Sequence, residues 1–322
     1  MKNWIPHSTR DGSFTFFSET FNETFHSKQG ARTEAIEKFA IATHLPQLAQ
    51  ASRHTPIRIL DVCYGLGFNT AAALETIWQL NPDCPVELYG LELDASVPQA
   101  AIAPEIIQCW SKPVQKVLRA LAASHAFSEK SAGGLAGSLP LQAELLIGDA
   151  RQSILDLHQR AVVADAIFLD PFSPRRCPQL WTVDFLELVI QCLALRGRLA
   201  TYSRSASVRA ALLEAGFTIG TMPLPRQDPQ HPHEWSQGTI AVSEAAGLCG
   251  MSGGVSGGVS ESWLTPLSQL ELEHLQTRAG IPLRDPSLKS DAATILARQR
   301  QEQEHCDRES TSSWRRRWGL DD

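Results

Sequence analysis

The chain has 322 residues, of which 43% are hydrophobic and 20% are charged, and its formal net charge is −6. Such a chain can bury a large core in one or two domains. No apolar run approaches the roughly 18 residues of a membrane span, and residues 1–7 lack the apolar core of a secretory signal. Seven scattered cysteines without a CxxC pair favour a reducing compartment over a structural zinc site. We therefore expect a cytoplasmic protein with no metal site and no membrane partner.

The charge is distributed unevenly along the chain. Residues 1–60 and 165–226 carry more Lys and Arg than Asp and Glu, whereas residues 61–164 and 227–322 are acidic. The two basic stretches could form a local basic face for a polyanion, although an ordinary mixed surface agrees equally well with these counts.

Residues 57–69 form the strongest local pattern, an apolar run that breaks at a glycine turn. The run Ile57 to Cys63 is followed by Gly65-Leu66-Gly67 and then by helical spacing of apolar residues. This order predicts the first strand, turn and helix of an α/β domain. A dinucleotide site needs a third glycine and a P-loop needs a lysine, and this turn has neither. The turn therefore favours a nucleoside-like cofactor without a pyrophosphate, and S-adenosylmethionine fits that description.

Acidic residues follow the second and third predicted strands. Glu92 ends the second strand, residues 86–92, where a carboxylate can accept hydrogen bonds from both ribose hydroxyls. Asp149 follows the third strand, residues 141–147, where it could accept a hydrogen bond from an adenine amino group. Glu92 could also be an ordinary surface carboxylate, and Asp149 could simply cap the next helix.

The fourth predicted strand, residues 162–169, ends abruptly in Asp170 and a loop with three prolines within eight residues. Prolines restrict the backbone on both sides, so the loop is predicted to be stiff. It also lies at the carboxyl edge of the sheet, where open α/β sheets bind their ligands. We therefore expect Asp170 to face a reacting group, although it could also be a local cap in a proline-rich connector.

The remaining patterns divide the chain into four segments. Phe14 and Phe16 alternate with polar residues behind the Asp11-Gly12 turn signal, which predicts a hairpin ahead of the main domain. His231 and His233 lack a third ligand nearby, so we expect a solvent-facing or substrate-side loop there instead of a metal site. The other predicted elements are helices at 33–48, 104–122, 181–195, 207–215, 266–280 and 290–309, and strands at 197–203, 217–222 and 238–242. The predicted segments are a hairpin and helix (1–55), a catalytic domain (56–244), a Gly/Ser linker (245–262) and a helical extension (263–322).

Several stretches resemble the methyltransferase part of the MnmC family. The most specific is residues 168–181, which contains Asp-Pro-Phe-Ser-Pro at 170–174 and Pro-Gln-Leu-Trp at 178–181. Further similarity lies in Gly-Leu-Gly-Phe-Asn-Thr at 65–70, Leu-Glu at 91–92, Gly-Asp at 148–149, residues 25–34 and the basic segment 201–217. The resemblance covers about residues 11–243. Residues 244–322 contain no dinucleotide glycine motif, so the expectation is a methyltransferase without the family's flavin-dependent oxidase domain.

The resemblance implies a fold, a reaction and a partner. The fold is a Rossmann-like class I S-adenosylmethionine-dependent methyltransferase fold, an α/β fold whose mostly parallel sheet ends in an antiparallel strand pair, with an N-terminal hairpin and helix and a helical C-terminal tail. The reaction is methyl transfer from S-adenosylmethionine to the exocyclic amine of 5-aminomethyl-(2-thio)uridine at the tRNA wobble position, which gives 5-methylaminomethyl-(2-thio)uridine. The partner is tRNA, and other wobble-uridine modification enzymes are further candidates.

The resemblance also assigns roles to individual residues. Asp170 would orient the amine and accept its proton, and Phe172 would stack on the target base. The cofactor would be held by Gly65, Gly67, Phe68, Asn69, Glu92, Asp149 and Ala150. The RNA phosphates would be contacted by Arg175, Arg176, Arg204 and Arg209.

Two other functions agree with parts of the pattern. A polyamine aminopropyltransferase shares the fold and similar motifs, but Arg175 and Arg176 beside the reacting amine would repel a polycation and attract an RNA backbone. A degenerate fold that only binds RNA or a protein is the non-enzymatic alternative. The intact glycines and strand-end carboxylates argue against it, and titration with S-adenosylmethionine would distinguish the two.

Overall fold

The computed structural model describes residues 4–52, 54–129, 140–224, 236–243 and 264–320. The predicted linker 245–262 and the residues His231 and His233 therefore lie outside the described residues. The chain separates into two compact units, Met1–Phe172 and Ser173–Asp322. The four segments predicted from composition are not tested by this division and remain a prediction.

A small antiparallel sheet begins the first unit. Its strands are β1 (Pro6–Ser8), β2 (Phe14–Ser18) and β3 (Glu23–Thr24), in the order β1-β2-β3. The turn between β1 and β2 is stabilised by Asp11, which accepts hydrogen bonds from the hydroxyls of Thr9 and Ser13 at 2.7 and 2.6 Å. Asp11 also accepts one from the backbone N–H of Thr33 at 2.9 Å, which ties the hairpin to the helix that follows. The predicted N-terminal hairpin is confirmed.

The helix predicted over residues 33–48 is broken in the structure. Helix α1 (Ala31–Ala35) continues into a π-helical segment (Ile36–Ile41), and α2 (Leu45–Ala51) follows. His44 lies between them with a φ of 62°, a left-handed conformation that ends one helix and redirects the chain into the next. Because apolar side chains continue at helical spacing through the break, the hydrophobic pattern did not reveal it.

The sheet of the first unit is mostly parallel. Its strands are β4 (Ile57–Val62), β5 (Val86–Glu92), β6 (Ala126–Glu129), β7 (Leu141–Ile147) and β8 (Ala164–Leu169). Their order is β8-β4-β5-β7-β6, and only β6 runs antiparallel to its neighbour. The chain order therefore reverses at β4, whose neighbours are β5 on one side and β8 on the other. Such a switch point opens a crevice at the carboxyl ends of the strands.

Helices cover this sheet, and the described part of the unit has a continuous apolar core. Fully buried core residues include Ile59 and Leu60 of β4 and Ile167 and Phe168 of β8. The helix predicted over residues 104–122 is in fact two helices, because Trp110 and Ser111 interrupt it. The helices are α3 (Phe68–Leu80), α4 (Ser96–Ala101), α5 (Pro104–Ile107), α6 (Lys112–Ser124) and α7 (Ala150–Gln159).

The second unit contains the antiparallel strands. Its elements are a 3₁₀ turn (Pro178–Trp181), α8 (Val183–Gln191), β9 (Leu193–Thr201), α9 (Ala206–Glu214), β10 (Phe217–Met222) and β11 (Gly238–Ser243). Strand β11 pairs antiparallel with both β9 and β10, so the predicted C-terminal strand pair is confirmed. Helix α8 begins two residues later than predicted, because the hydroxyl of Thr182 caps it by accepting a hydrogen bond from the N–H of Phe185 at 3.2 Å.

The C-terminal extension packs against the other elements of the second unit. It comprises α10 (Gln269–Leu275), a 3₁₀ turn (Arg278–Gly280), α11 (Ala292–His305) and α12 (Thr311–Arg317). The helix predicted to begin at residue 266 begins three residues later, at Gln269, and the carbonyl of Thr265 accepts a hydrogen bond from the N–H of Thr221 in β10 at 2.9 Å. Ser268 caps α10 in a capping box with Glu271. Helix α11 is mostly exposed, as its polar sequence predicts, and it buries Ile295.

Candidate active site

The reversal of strand order brings the predicted site residues together at one edge of the first unit's sheet. Strands β4 and β8 are neighbours, with Val62 opposite Leu169. The N–H of Asp170 donates to the carbonyl of Val62 at 3.1 Å, so Asp170 lies directly beside the start of the glycine turn. On the other side of β4, Val62 lies opposite Leu91, and Glu92 follows. Asp170 and Glu92, the expected ribose ligand, therefore flank the same turn.

The turn after β4 consists of residues in left-handed conformations. Cys63, Gly65 and Gly67 have φ values of 73°, 54° and 76°. A Cβ on Gly67 would lie 2.5 Å from the hydroxyl of Tyr64, and a Cβ on Gly65 would lie 3.3 Å from the ring of Phe25. Glycine is thus required at residue 67 on both conformational and steric grounds. Cys63 adopts the same left-handed geometry with a side chain, which costs free energy that a glycine would not.

Glu92 is buried beneath this turn. Its carboxylate accepts hydrogen bonds from the N–H groups of Gly65 at 2.8 Å and Asp94 at 2.9 Å. Burial raises the pKa of Glu92 to about 7, although these two hydrogen bonds act in the opposite direction. Each carboxylate oxygen has a second lone pair, so both can still accept a hydrogen bond from a ligand hydroxyl.

Asp61 is a second buried acid in the same place, and the sequence analysis did not single it out. It lies within β4, is fully buried, and accepts a hydrogen bond from the hydroxyl of Thr70 at 2.7 Å. Its Oδ1 atom has no hydrogen-bond partner among the described residues. Burial raises the pKa of Asp61 to about 7, and the charge of Glu92 contributes. An acidic residue at a buried position near the end of a largely apolar strand was the signal that could have identified it.

Asp170 is held by the first turn of α3. The side-chain amide of Asn69 donates to Oδ2 of Asp170 at 2.8 Å. Asn69 is 3% exposed, and its Oδ1 atom has no hydrogen-bond partner within the described part of the chain. Burial raises the pKa of Asp170 well above its usual range, and the charge of Glu34 adds to that effect, whereas the Asn69 hydrogen bond and the charge of Lys38 oppose it.

Residues 26–38, which precede β4 in the chain, supply these further charges. Lys38 donates to Glu34 at 2.6 Å, and both side chains are largely buried. The N–H of Ser27 also donates to Glu34, at 3.2 Å. His26 packs against the ring of Phe68 with a centroid separation of 5.2 Å, and burial lowers the pKa of His26 to about 4. The imidazole of His26 is therefore neutral at pH 7. Among residues 26–38, the charged groups that affect the pKa of Asp170 are Glu34 and Lys38.

Phe172 packs against two aromatic rings from the N-terminal part of the chain, Phe21 and Phe25. It stacks on Phe21 with a centroid separation of 4.5 Å and an interplanar angle of 21°. The ring of Phe25 meets it edge-on at 4.9 Å. Phe172 remains partly exposed. The sequence analysis placed Phe172 in the site but missed its two partners, because they lie about 150 residues away in the chain.

Asp149 has the capping role that was weighed as its alternative. It is the N-cap of α7 and accepts a hydrogen bond from the N–H of Arg151 at 2.9 Å. The guanidinium of Arg151 also forms an ion pair with it, with an N–O distance of 2.7 Å. The preceding Gly148 has a φ of 147°, and a Cβ built on it would meet open space. A hydrogen bond from an adenine amino group to Asp149 stays a prediction.

Two further predicted cofactor residues contribute little side-chain surface. Phe68 is 2% exposed, and its ring packs edge-on against Trp110 at 5.5 Å. Ala150 is 8% exposed at the start of α7. Any contact of Phe68 with a cofactor would therefore involve its backbone at the start of α3, because the ring belongs to the core.

The four arginines expected to bind phosphate differ in their environments within the second unit. Arg175 and Arg176 are exposed. Arg204 donates to the carbonyl of Ser236 at 3.0 Å. Arg209 is 1% exposed and forms a buried ion pair with Glu271 at 2.8 Å, so its expected role as a surface phosphate contact disagrees with the structure. The partner that buries it lies 62 residues further along the chain, which the local basic pattern could not reveal.

Neither metal ligands nor membrane spans are found in the ranges that the structure describes. No group of three or more His, Cys, Asp or Glu side chains there could hold a metal ion. None of the helices in those ranges has the length and hydrophobicity needed to cross a membrane.

The sequence is similar to a known protein family and to individual known proteins. Residues 104–226 match a family described as S-adenosyl-L-methionine-dependent methyltransferase. An uncharacterised protein of Methanocaldococcus jannaschii is 31% identical over 216 residues, which are 66% of this chain and 53% of that protein. The tRNA 5-methylaminomethyl-2-thiouridine biosynthesis bifunctional protein MnmC of Acidovorax sp. (strain JS42) is 29% identical over 220 residues, which are 65% of this chain and 32% of that protein. The chain thus spans about half of the first relative and about a third of the second.

A solved structure matches more of the chain. The crystal structure of MNMC2 from Aquifex aeolicus aligns with a TM-score of 0.72 and 26% sequence identity, and the alignment covers 95% of this chain and 87% of that one. The Rossmann-like methyltransferase fold expected from the sequence is confirmed by this similarity together with the strand order.

Proposed function

We propose that this chain belongs to the MnmC-like family of S-adenosyl-L-methionine-dependent methyltransferases and that it methylates the exocyclic amine of 5-aminomethyl-(2-thio)uridine at the tRNA wobble position. The observation that carries the proposal is the contact of Asn69 with Asp170 at 2.8 Å, directly beside the glycine turn. It fixes a carboxyl group with a raised pKa next to the place where the cofactor's methyl group would be presented. The product would be 5-methylaminomethyl-(2-thio)uridine.

The residues at the glycine turn fit S-adenosylmethionine. Two buried oxygen atoms, Oδ1 of Asp61 and Oδ1 of Asn69, have no donor among the described residues and could accept hydrogen bonds from the cofactor's ammonium group. Glu92 can accept hydrogen bonds from the ribose hydroxyls. Leu93 follows Glu92 and is 58% exposed, and the open space at Gly148 leaves room for a flat ring. Gly65 and Gly67 would let the methionine part approach the backbone, and Asp149 would accept from the adenine amino group.

The chemistry asks the protein to position an amine and to remove one proton. When bound, S-adenosylmethionine supplies an electrophilic methyl group on a sulfonium. The substrate amine attacks only in its neutral form, because an ammonium has no lone pair. Asp170 accepts a hydrogen bond or the proton from that amine, and Asn69 holds the carboxyl in place. Because burial raises the pKa of Asp170 well above its usual range, its ionised carboxylate is a stronger base than an exposed carboxylate.

Recognition of tRNA would use the aromatic and basic residues near Asp170 in the sequence. Phe172 would stack on the target pyrimidine, which is how proteins commonly hold an unpaired base. The exposed Arg175 and Arg176 would contact phosphates, and Arg204 would contribute if it exchanged its contact with Ser236. We assign no phosphate contact to the buried Arg209. The proposal places the protein in the cytoplasm with its tRNA substrate, and other wobble-uridine modification enzymes are candidate partners.

The two alternative functions are less well supported. An aminopropyltransferase binds a polycation and would need additional carboxylates near the amine, whereas the loop after Asp170 continues to the exposed Arg175 and Arg176. A non-catalytic fold would have no reason to retain the buried acids Asp61 and Glu92, which are costly without a ligand or partner.

Mass spectrometry of wobble nucleosides from a deletion strain tests the proposal. Accumulation of 5-aminomethyluridines, reversed by the wild-type gene but not by an Asp170→Ala variant, is the expected result. An unchanged nucleoside profile with altered polyamines would instead favour the aminopropyltransferase. An unchanged nucleoside profile with unaltered polyamines would contradict the proposed methylation as well.

A further inference from the structure

The leader segment, residues 4–28, crosses the carboxyl edge of the first unit's sheet and touches three of its strand ends. The indole N–H of Trp4 donates to the hydroxyl of Ser96 at 3.1 Å, just beyond β5. The ring of Phe25 lies against Gly65, just beyond β4. Phe21 and Phe25 contact Phe172, just beyond β8. The leader is therefore built into the site rather than packed on a remote face.

The aromatic rings of the leader form a continuous cluster. Trp4 stacks on Phe16 with a centroid separation of 5.6 Å, and Phe25 lies edge-on to both, at 5.7 Å from Trp4 and 6.5 Å from Phe16. Phe16 is 1% exposed and anchors the cluster in the core. The N–H of Phe25 also donates to the carbonyl of Phe16 at 3.0 Å. Phe25 is thereby fixed by both its ring and its backbone.

Phe21 differs from the rest of the cluster. It belongs to the turn between β2 and β3 and is partly exposed. The only ring contact found for it among the described residues is the stack on Phe172. A partly exposed ring stacked on another partly exposed ring gains less from burial than a core residue does, so the position of Phe21 is better explained by the orientation it gives to Phe172.

We propose that Phe21 and Phe25 are positioning residues that hold the ring of Phe172 in the plane on which the target pyrimidine stacks. This inference rests on the proposed function, because it names residues for the same base-binding step. Phe21 sets the ring plane through its parallel stack, and Phe25 blocks rotation through its edge contact. Since Phe172 is only two residues from Asp170, the plane of the base and the distance of its amine from the carboxyl are set together.

The two residues act on different steps. Phe21 contacts Phe172 and none of the cofactor residues in the described set of ring contacts, so its loss weakens base positioning and leaves S-adenosylmethionine binding unchanged. Phe25 contacts both Phe172 and the Gly65 turn, so its loss affects both. This difference separates a positioning role from general damage to the leader.

Steady-state methylation of tRNA carrying 5-aminomethyluridine tests the inference, with Phe21→Leu as the informative variant. Leucine keeps the apolar bulk but cannot stack, so we expect kcat/KM for tRNA to fall about tenfold, with an unchanged S-adenosylmethionine Kd and unchanged Tm. Phe21→Tyr should restore wild-type kinetics. Phe17→Leu is the matched control. Phe17 is 39% exposed and lies on the face of β2 opposite to the buried Phe16 of the aromatic cluster.

The outcomes separate the two levels of the argument. If the wild-type enzyme transfers no methyl group to this tRNA, the proposed function fails. If the wild type is active and Phe21→Leu matches it, the positioning role of Phe21 fails while the proposed function stands. An equal loss in Phe17→Leu would likewise overturn the positioning role, because a nonspecific effect of the hairpin would then explain the data.

Discussion

The side-chain amide of Asn69 donates a 2.8 Å hydrogen bond to Oδ2 of Asp170, and this contact joins the glycine turn to the carboxyl that we propose as the proton acceptor. Asn69 belongs to the first turn of α3, and Asp170 follows β8. In the proposed function, a change at the glycine turn would therefore be transmitted to the group that meets the amine. The relationship explains why a buried Asn occupies the second position of α3, where a better helix former would serve stability alone.

Replacing Asp170 should abolish methyl transfer without affecting cofactor binding. Asp170→Asn keeps the shape of the side chain and removes the proton acceptor, so we expect kcat to fall about 100- to 10,000-fold. The S-adenosylmethionine Kd, measured by calorimetry, should remain within about twofold of the wild-type value, because the cofactor residues near Gly65 and Glu92 are unchanged. Retained turnover would remove Asp170 from its role.

Asn69 should act on catalysis through Asp170. Asn69→Ala removes the hydrogen bond that lowers the pKa of Asp170, so the carboxyl becomes harder to ionise. We expect the acidic limb of the kcat/KM profile to move to higher pH. A lower kcat with an unshifted profile would mean that Asn69 supports only the packing of α3.

Replacing Glu34 should shift the pH profile in the direction opposite to that expected for Asn69→Ala. Its negative charge contributes to raising the pKa of Asp170, so Glu34→Gln should lower that pKa and move the acidic limb of kcat/KM to lower pH. The loss of Glu34 also leaves the charge of Lys38 uncompensated, which acts in the same direction. A matched control is Glu37→Gln, which changes a charge in the same helical segment without any hydrogen bond or ion pair to Lys38 in the described structure. A shift of equal size in the control would contradict a specific effect.

Cofactor affinity should increase with pH. Burial raises the pKa values of Asp61 and Glu92 to about 7, and a cationic ligand favours their ionised forms. S-adenosylmethionine should therefore bind more tightly at pH 8 than at pH 6 and release protons, which calorimetry in buffers of different ionisation enthalpy detects. Glu92→Gln should reduce the proton release.

The stability of the unliganded protein should change with the opposite sign. Because the folded pKa values of Asp61 and Glu92 lie above their unfolded values, the stability they contribute is fully present below about pH 4 and is lost as pH rises through about 7. Proton uptake on cofactor binding would contradict the predicted proton release. Thermal unfolding of the unliganded protein at several pH values tests the stability that Asp61 and Glu92 contribute, by comparison with Glu92→Gln.

Arg209 and Glu271 should contribute to folding and not to RNA binding. Both side chains are 1% exposed, so Arg209→Met leaves a buried, uncompensated carboxylate and should cost about 3–5 kcal/mol of unfolding free energy. The double variant with Glu271→Met should recover much of that loss. The exposed pair Arg284–Glu214 is the control, and breaking it should cost less than about 1 kcal/mol. Full stability of Arg209→Met combined with weaker tRNA binding would restore the phosphate role expected from the sequence.

The sequence predicted the parts of the site that depend on local order. Apolar runs located β4, β5, β7 and β8, and parallel strands place their carboxyl ends at one edge, so Glu92 and Asp170 could be assigned to one site. Contacts between distant segments could not be predicted in this way. The stacking of Phe21 on Phe172, the burial of Arg209 by Glu271 and the break at His44 each depend on tertiary packing or on a backbone conformation that hydrophobic spacing does not encode.

In vitro transfer of a labelled methyl group tests the central claim most directly. Purified protein is incubated with methyl-deuterated S-adenosylmethionine and tRNA carrying 5-aminomethyl-2-thiouridine, and the digested nucleosides are analysed by mass spectrometry. The account predicts labelled 5-methylaminomethyl-2-thiouridine with the wild type and an initial rate of labelling at least about 100-fold lower with Asp170→Asn. Absence of label with the wild type, or equal labelling by Asp170→Asn, would contradict it.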